Sequence, residues 1–163
     1  MGGYAALYRL GQTWGATDQE LQQALAGDEL LPGATAWTTH AITIAAPAHA
    51  VWPWLVQMGW GRAGWYTYRW VDRLLVLRST RHLPLSWRRR GLAMHWIWSW
   101  HLDEPIRGRT RVVQRNRMRL RPWWFERAFL GAIVPADLVM ARSHLRGLRR
   151  RSEASAGQLE GAA

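Results

Sequence analysis

Cysteine is absent from the chain, and so is lysine. Without thiols there is no disulfide framework, no thiolate nucleophile and no zinc site built on sulfur. This fits a reducing cytoplasm, the expected location. Without lysine, all 22 basic residues are arginine; set against 11 acidic residues they give a net charge of +11. Guanidinium groups bind phosphate and carboxylate bidentately and stack on aromatic faces, so an Arg-rich, Trp-rich surface suits nucleic acid or an anionic membrane. Arg written everywhere for Lys, beside abundant Ala, Gly and Trp, is equally what a high-GC genome produces with no partner in view. Catalytic patterns are also missing. No Ser/His/Asp order, paired carboxylates or metal-ligand spacing occurs, so no metal or cofactor is expected. His40, His95, His101 and Asp103 are the only nearby proton-transfer candidates, and His95 and His101 lie about 20 Å apart by strand rise, too far to grip one ion.

No Asp, Glu, Lys or Arg occurs between Glu29 and Arg62, a run long enough on paper to span a bilayer. Thr38, Thr39, His40, His49 and Gln57 fall inside it, Pro47 and Pro53 break it, and its periodicity changes from two to about 3.6, which argues against a spanning helix. The N-terminal MGGYAALYRLG lacks the basic region, apolar block and cleavage site of a signal peptide. Its Met1-Gly2 start is followed at position 6 by Ala, which breaks the myristoylation motif.

What is present predicts one domain with a real core. Hydrophobic residues make up 48% of the 163 positions, ample for burial at this length. Residues 1–33 read as an N-terminal extension with one short helix, in which Thr17 and Glu20 form a capping box and Gly27 is the stop. From Thr38, alternation puts Thr38, His40, Ile42 and Ile44 on one strand face and Thr39, Ala41, Thr43 and Ala45 on the other. Pro47 then opens a helix bearing Val51, Trp54, Leu55 and Met58, with Pro53 inside it. Gly59-Trp60-Gly61-Arg62-Ala63-Gly64 spells GxGxxG, but a helix leads in and aromatics crowd the exit, so the dinucleotide reading is rejected. A second helix carries Trp70, Leu74 and Leu77.

Residues 78–92, with Arg88-Arg89-Arg90, show no period and read as a solvated loop. Met94, Trp96, Trp98, Trp100 and Leu102 then alternate with His95, Ile97, Ser99, His101 and Asp103 along a strand. After a turn at Glu104–Gly108, a return strand from Arg109 to Leu120 sets Arg111, Val113, Arg115, Arg117 and Arg119 opposite Thr110, Val112, Gln114, Asn116 and Met118; the arginine face should be wet or bound to something anionic. Pro135 opens the final helix, with Leu138, Ala141, Leu145 and Leu148 as its inward stripe. Residues 152–163 are expected to form a flexible tail.

This order resembles the helix-grip fold of the START-like, or SRPBCC, superfamily. The words Gly27-Asp28-Glu29-Leu30-Leu31-Pro32-Gly33, Thr39-His40-Ala41-Ile42-Thr43-Ile44, Val51-Trp52-Pro53-Trp54-Leu55-Val56-Gln57-Met58-Gly59, Gly64-Trp65-Tyr66, Gly108-Arg109-Thr110-Arg111-Val112-Val113 and Leu138-Val139-Met140 are similar to a bacterial branch related to polyketide cyclase and lipid-transfer proteins. The resemblance implies an α+β fold, an antiparallel sheet packed on a long C-terminal helix over residues 34–151. The chain departs from the branch at 78–92, where several further strands are expected, so a reduced strand count follows.

By the resemblance, a small hydrophobic or amphipathic ligand, lipid or polyketide-like, would sit between sheet and helix against Trp54, Met58, Trp65, Tyr66, Tyr68, Trp96, Trp98, Trp100, Leu138, Met140 and Leu145. Each of these is also a plausible core residue. The competing expectation is an Arg/Trp surface for nucleic acid or anionic membrane, built on Arg111, Arg115, Arg117 and Arg119 with Trp123 or Trp124 nearby. A third is a shortened paralogue without independent activity. A homo-oligomer completing the sheet is a further expected partner.

Overall fold

The computed structural model describes residues 2–58 and 85–160. Among them, β1 (Ala36–Ile44), β2 (Leu85–Arg89), β3 (Leu92–Ile106) and β4 (Arg109–Arg121) form an open antiparallel sheet in the order β1-β4-β3-β2. The helices are α1 (Gly2–Thr13), α2 (Asp18–Gln22), α3 (Ala48–Val56) and the long α4 (Trp123–Glu160). The fold class is thus α+β with an open four-stranded antiparallel sheet and a long C-terminal helix. The described chain divides into two compact units, one of residues 2–40, 85–101 and 113–139, the other of 41–58, 102–112 and 140–160. The helix expected around Trp70–Leu77 and the GxGxxG turn lie outside the described residues.

In the first unit the expected alternation holds. Met94 and Trp96 of β3 and Met118 and Leu120 of β4 pack with Leu130, Val134, Phe125, Phe129 and Ile133 of α4. The ring of Trp96 meets that of Phe129 edge-on at 6.4 Å. The stretch expected as a solvated loop contributes β2, paired with β3 in the register Leu85↔Trp96 to Arg89↔Leu92. Arg90 and Gly91 make the turn, with φ of 49° and 80°, the left-handed pair that a tight hairpin requires. An exposed edge strand needs no buried face, so its arginines hid it from a search for alternating apolar residues.

Two helices differ from expectation. The N-terminal segment before Trp14 is helical, as α1. And α4 starts at Trp123 rather than Pro135, which lies inside it. A mid-helix proline cannot donate to the carbonyl four residues back, here that of Gly131. The Tyr4 hydroxyl of α1 donates to that carbonyl at 2.6 Å, replacing the missing bond, and a side chain on Gly131 would press on the Tyr4 oxygen at 3.4 Å. About two turns after Tyr4, Gly11 lies so close to α4 that a Cβ would overlap the Val134 backbone. The sequence signals for α1 were weak because its packing depends on two glycines and one hydroxyl instead of an apolar stripe.

The extension follows the capping box: Thr17 Oγ1 accepts from the Glu20 amide and Glu20 Oε2 from the Thr17 amide. Helix α2 ends at Gln22, short of the expected stop at Gly27, because the next turn is claimed elsewhere. The Leu25 amide donates to Asp28 Oδ2, and the Gln23 carbonyl accepts from Arg115.

In the second unit Ile44, Val51, Val112, Ala141, Leu145 and Leu148 are fully buried. Pro47 leaves α3 with no side-chain cap of its own. Glu104 supplies it: Oε2 accepts from the Ala48 amide at 2.9 Å and Oε1 from the Gly108 amide at 2.8 Å. Those two amides hold the Glu104 carboxyl below its ordinary pKa. The expected flexible tail is instead helical to Glu160. It is held because Ser152 is fully buried, Glu153 Oε1 accepts from the Ala45 amide, and Ser155 Oγ accepts from the Trp54 indole.

Replacing Tyr4 by Phe is expected to cost about 1 kcal/mol in urea unfolding, since it strips the Gly131 carbonyl of its donor. In a Pro135→Ala background the helix supplies that donor itself, so the same Tyr4 substitution should cost distinctly less. Equal costs in the two backgrounds would break the link between Tyr4 and Pro135.

Candidate functional site

The helix face of the sheet in the first unit carries polar side chains where an apolar lining was expected. Thr38 and His40 come from β1, Gln114 and Asn116 from β4, and Asp137 from α4; all are at most 5% exposed. Hydrogen bonds run through them in one direction. Trp96 Nε1 donates to Asn116 Oδ1 at 2.8 Å, Asn116 Nδ2 to Thr38 Oγ1 at 3.0 Å, and Thr38 Oγ1 to Asp137 Oδ2 at 3.3 Å. Serial bonds of this kind polarise one another in a low-dielectric interior. The chain ends on a carboxyl group whose second oxygen, Oδ1, has no hydrogen-bond partner, as is also true of Gln114 Oε1.

His40 completes the group. Its Nε2 donates to the Gly11 carbonyl of α1 at 2.7 Å, which leaves Nδ1 facing Asp137 Oδ2 at 3.8 Å. Burial pushes the Asp137 carboxyl up, against the His40 charge and the Thr38 bond that pull it down. Burial thus favours the neutral carboxyl, which can donate its proton to a polar group brought near it. Among the described residues no three His, Cys, Asp or Glu side chains group as a metal site.

On the opposite face the expected row of arginines is occupied from within the chain. Arg115 is 5% exposed. Its Nε donates to Thr39 Oγ1, Nη1 to Asp28 Oδ2 at 2.8 Å and to the Gln23 carbonyl, and Nη2 to the Glu20 carbonyl. Arg117 donates to the Leu31 carbonyl and pairs with Asp28 Oδ1 at 3.5 Å. Burial raises the Asp28 pKa, but the Leu25 amide and the two guanidiniums outweigh it and hold the carboxyl below its ordinary value. Arg119 lies over Gly33, where a Cβ would come within 2.6 Å of its Nη1. In the second unit Arg111 donates to Thr43 Oγ1. The anion expected for Arg115 and Arg117 is the chain's own Asp28.

The proposed ligand wall divides between the units. Trp96, Trp98, Trp100 and Leu138 belong to the first, with the rings of Trp98 and Trp100 5.4 Å apart. Trp54, Met58, Met140 and Leu145 belong to the second, where Leu145 is fully buried. Trp65, Tyr66 and Tyr68 lie outside the described residues. Of the proton-transfer candidates, His40 joins the buried chain, while His95 bonds Ser86 Oγ. His101 is pushed down by burial and by the Arg115 charge, against an upward pull from Asp28. An open groove of about 600 Å³ runs along α1 and α2, lined by Tyr4, Tyr8, Arg9, Gln12, Leu21 and Trp37.

Compared with protein-family models, curated proteins and solved structures, the chain returns no match in any of the three. The residues missed from sequence are Thr38, Gln114, Asn116 and Asp137. Their signal was present: they are polar residues at inward-facing strand positions, and Asp137 is the sole acidic residue of α4 between Glu126 and Glu153, one place before the inward Leu138.

Asp28 and Asp137 should respond oppositely to pH. With its folded pKa depressed, Asp28 contributes stability that is present above the unfolded value near 3.9 and lost as pH falls through the folded value. Asp137 is raised, so its cost is absent below about 3.9 and grows as pH rises towards the folded value. Asp28→Asn should therefore destabilise most at neutral pH and least in acid. Asp137→Asn should improve relative to the parent as pH climbs above about 4. Urea unfolding across pH checks both, and parallel profiles for the two variants would contradict the assignment. Arg115→Met should cost roughly 3 kcal/mol by stranding Asp28 and should expose the first 33 residues to limited proteolysis.

Proposed function

We propose that this protein is a START-like binding module that holds a small amphipathic molecule between the helix face of the sheet and the C-terminal helix. The observation that carries the reading is the donor chain from Trp96 through Asn116 and Thr38 to Asp137, a buried carboxyl whose Oδ1 has no hydrogen-bond partner. Buried polar groups are costly unless they bond something. Here Asp137 Oδ1 and Gln114 Oε1 offer acceptors, and a protonated Asp137 offers a donor. Met94, Met118 and Val134 supply apolar surface in the same unit. The ligand best matched has a hydrocarbon or polyketide-like body and one neutral hydrogen-bonding head, such as a hydroxyl or carbonyl. The tryptophans of β3 contribute apolar surface.

Titration with anilinonaphthalene sulfonate and mass spectrometry of organic extracts from the purified protein test this directly. Saturable dye binding and a co-purifying amphipathic species are expected. Asp137→Leu should keep the dye and lower affinity for the extracted species by roughly tenfold, the worth of one buried hydrogen bond. A folded, cooperatively melting protein that binds neither would sink the reading.

A further inference from the structure

The first half of α4 is turned inside out relative to an ordinary surface helix. Its acidic residue, Asp137, faces the core, while the exposed positions between 123 and 139 are Trp123, Trp124, Arg127, Ala128, Ala132, Ala136 and Val139. Trp123 and Trp124 are 73% and 54% exposed. Helix α1, fastened beside it by the Tyr4 to Gly131 bond, continues the pattern: Tyr4, Ala5, Ala6, Leu7 and Leu10 are exposed and Arg9 is its one charge. Glu126, the other acid in this part of α4, accepts from Thr35 and the Leu120 amide. On α1 and on residues 123–139 of α4 the exposed charges, Arg9 and Arg127, are therefore both cationic. Arg121 adds a third exposed cation just before Trp123.

We infer that this face docks on an anionic lipid surface, with α1 and the start of α4 lying in the plane of the headgroups. Three features select lipid over other occupants. Paired exposed tryptophans suit the headgroup boundary, where one side of the ring is apolar and the other wet. The apolar area is flanked by charge of one sign, which matches anionic headgroups. Its exposed aliphatics, Leu7, Leu10 and Val139, are long enough to enter the acyl boundary beside the tryptophans. An 18-residue window within Trp123–Gln158 has a mean hydropathy of 1.2, so by length and composition alone that part of the helix would also cross a membrane. A crossing would pull Leu130, Val134 and Leu138 from the sheet and carry Asp137 into hydrocarbon, whereas lying flat leaves the sheet-facing side in place.

Vesicle co-sedimentation of the full chain decides the matter. Vesicles of equal parts phosphatidylcholine and phosphatidylglycerol should bind the protein, pure phosphatidylcholine should bind it poorly, and added salt should weaken the association. Trp123→Ser with Trp124→Ser should lower partitioning by about tenfold or more, and Arg127→Glu should lower it for anionic vesicles alone. Both variants change exposed residues, and their melting curves verify folding. Trp52→Ser, an exposed tryptophan of the second unit, should leave binding unchanged. The inference fails if anionic vesicles bind no better than neutral ones, if Trp52→Ser is as damaging as the pair, or if light scattering shows a dimer that the tryptophan pair variant dissolves, since the face would then belong to a second copy. Because the readout is vesicle partitioning, it stands or falls independently of ligand binding between sheet and helix.

Discussion

One buried guanidinium, with Arg117 beside it, ties residues 20–28 of the N-terminal extension to the sheet. Neither α2 nor the 3-10 turn at Asp28–Leu30 buries a side chain fully, so apolar burial cannot be what fastens them. Arg115 does so by distributing its donors among Thr39 of β1, the Glu20 and Gln23 carbonyls and the Asp28 carboxylate. Lysine could not replace it: an ammonium on a flexible stem lacks the planar fork that reaches four acceptors on three segments at once. The conformation of the extension, including the early end of α2, follows from where those acceptors must lie.

The two faces of the sheet in the first unit solve the burial of polar groups in opposite ways. On the outer face Asp28 Oδ2 accepts from the Leu25 amide and from Arg115, Arg117 stands 3.5 Å from Oδ1, and the carboxyl is kept ionised. On the helix face Asp137 has one hydroxyl donor and one nearby imidazole, and burial favours its neutral form. The same residue type is thus an ionised anchor on one side and a sparsely supplied, neutral-leaning group on the other, with donor supply as the difference. A carboxyl group so sparsely supplied costs its own fold stability as pH rises.

Strand faces were legible because alternation is a strict geometric rule: the positions of Trp96, Met118 and Arg115 relative to the sheet all follow from parity. The capping box at Thr17 and Glu20 was legible for the same reason, a fixed spacing with a fixed chemistry. Elements that depend on partners distant in the chain were not. Pro135 reads locally as a helix start, and only the Tyr4 hydroxyl, far away in sequence, makes it an interior residue. The end of α2 depends on Arg115, and the order of the last helical turns on Trp54 and Ala45. At the candidate site, attention to tryptophans drew the eye to apolar surface, while the polar residues sharing their face carried the chemistry.

Strand β2 gives the cationic cluster at 88–90 a different sense. An outermost strand exposes a row of unsatisfied amides and carbonyls, an invitation to any other strand in a crowded cell. Here Arg88 and Arg89 lie on that margin, with Arg90 in the turn beside them, all exposed. Two such margins brought together would set guanidinium against guanidinium, and the repulsion would discourage the runaway strand addition that leads to fibres. Charge on the outermost described strand thus has a use that calls for no ligand.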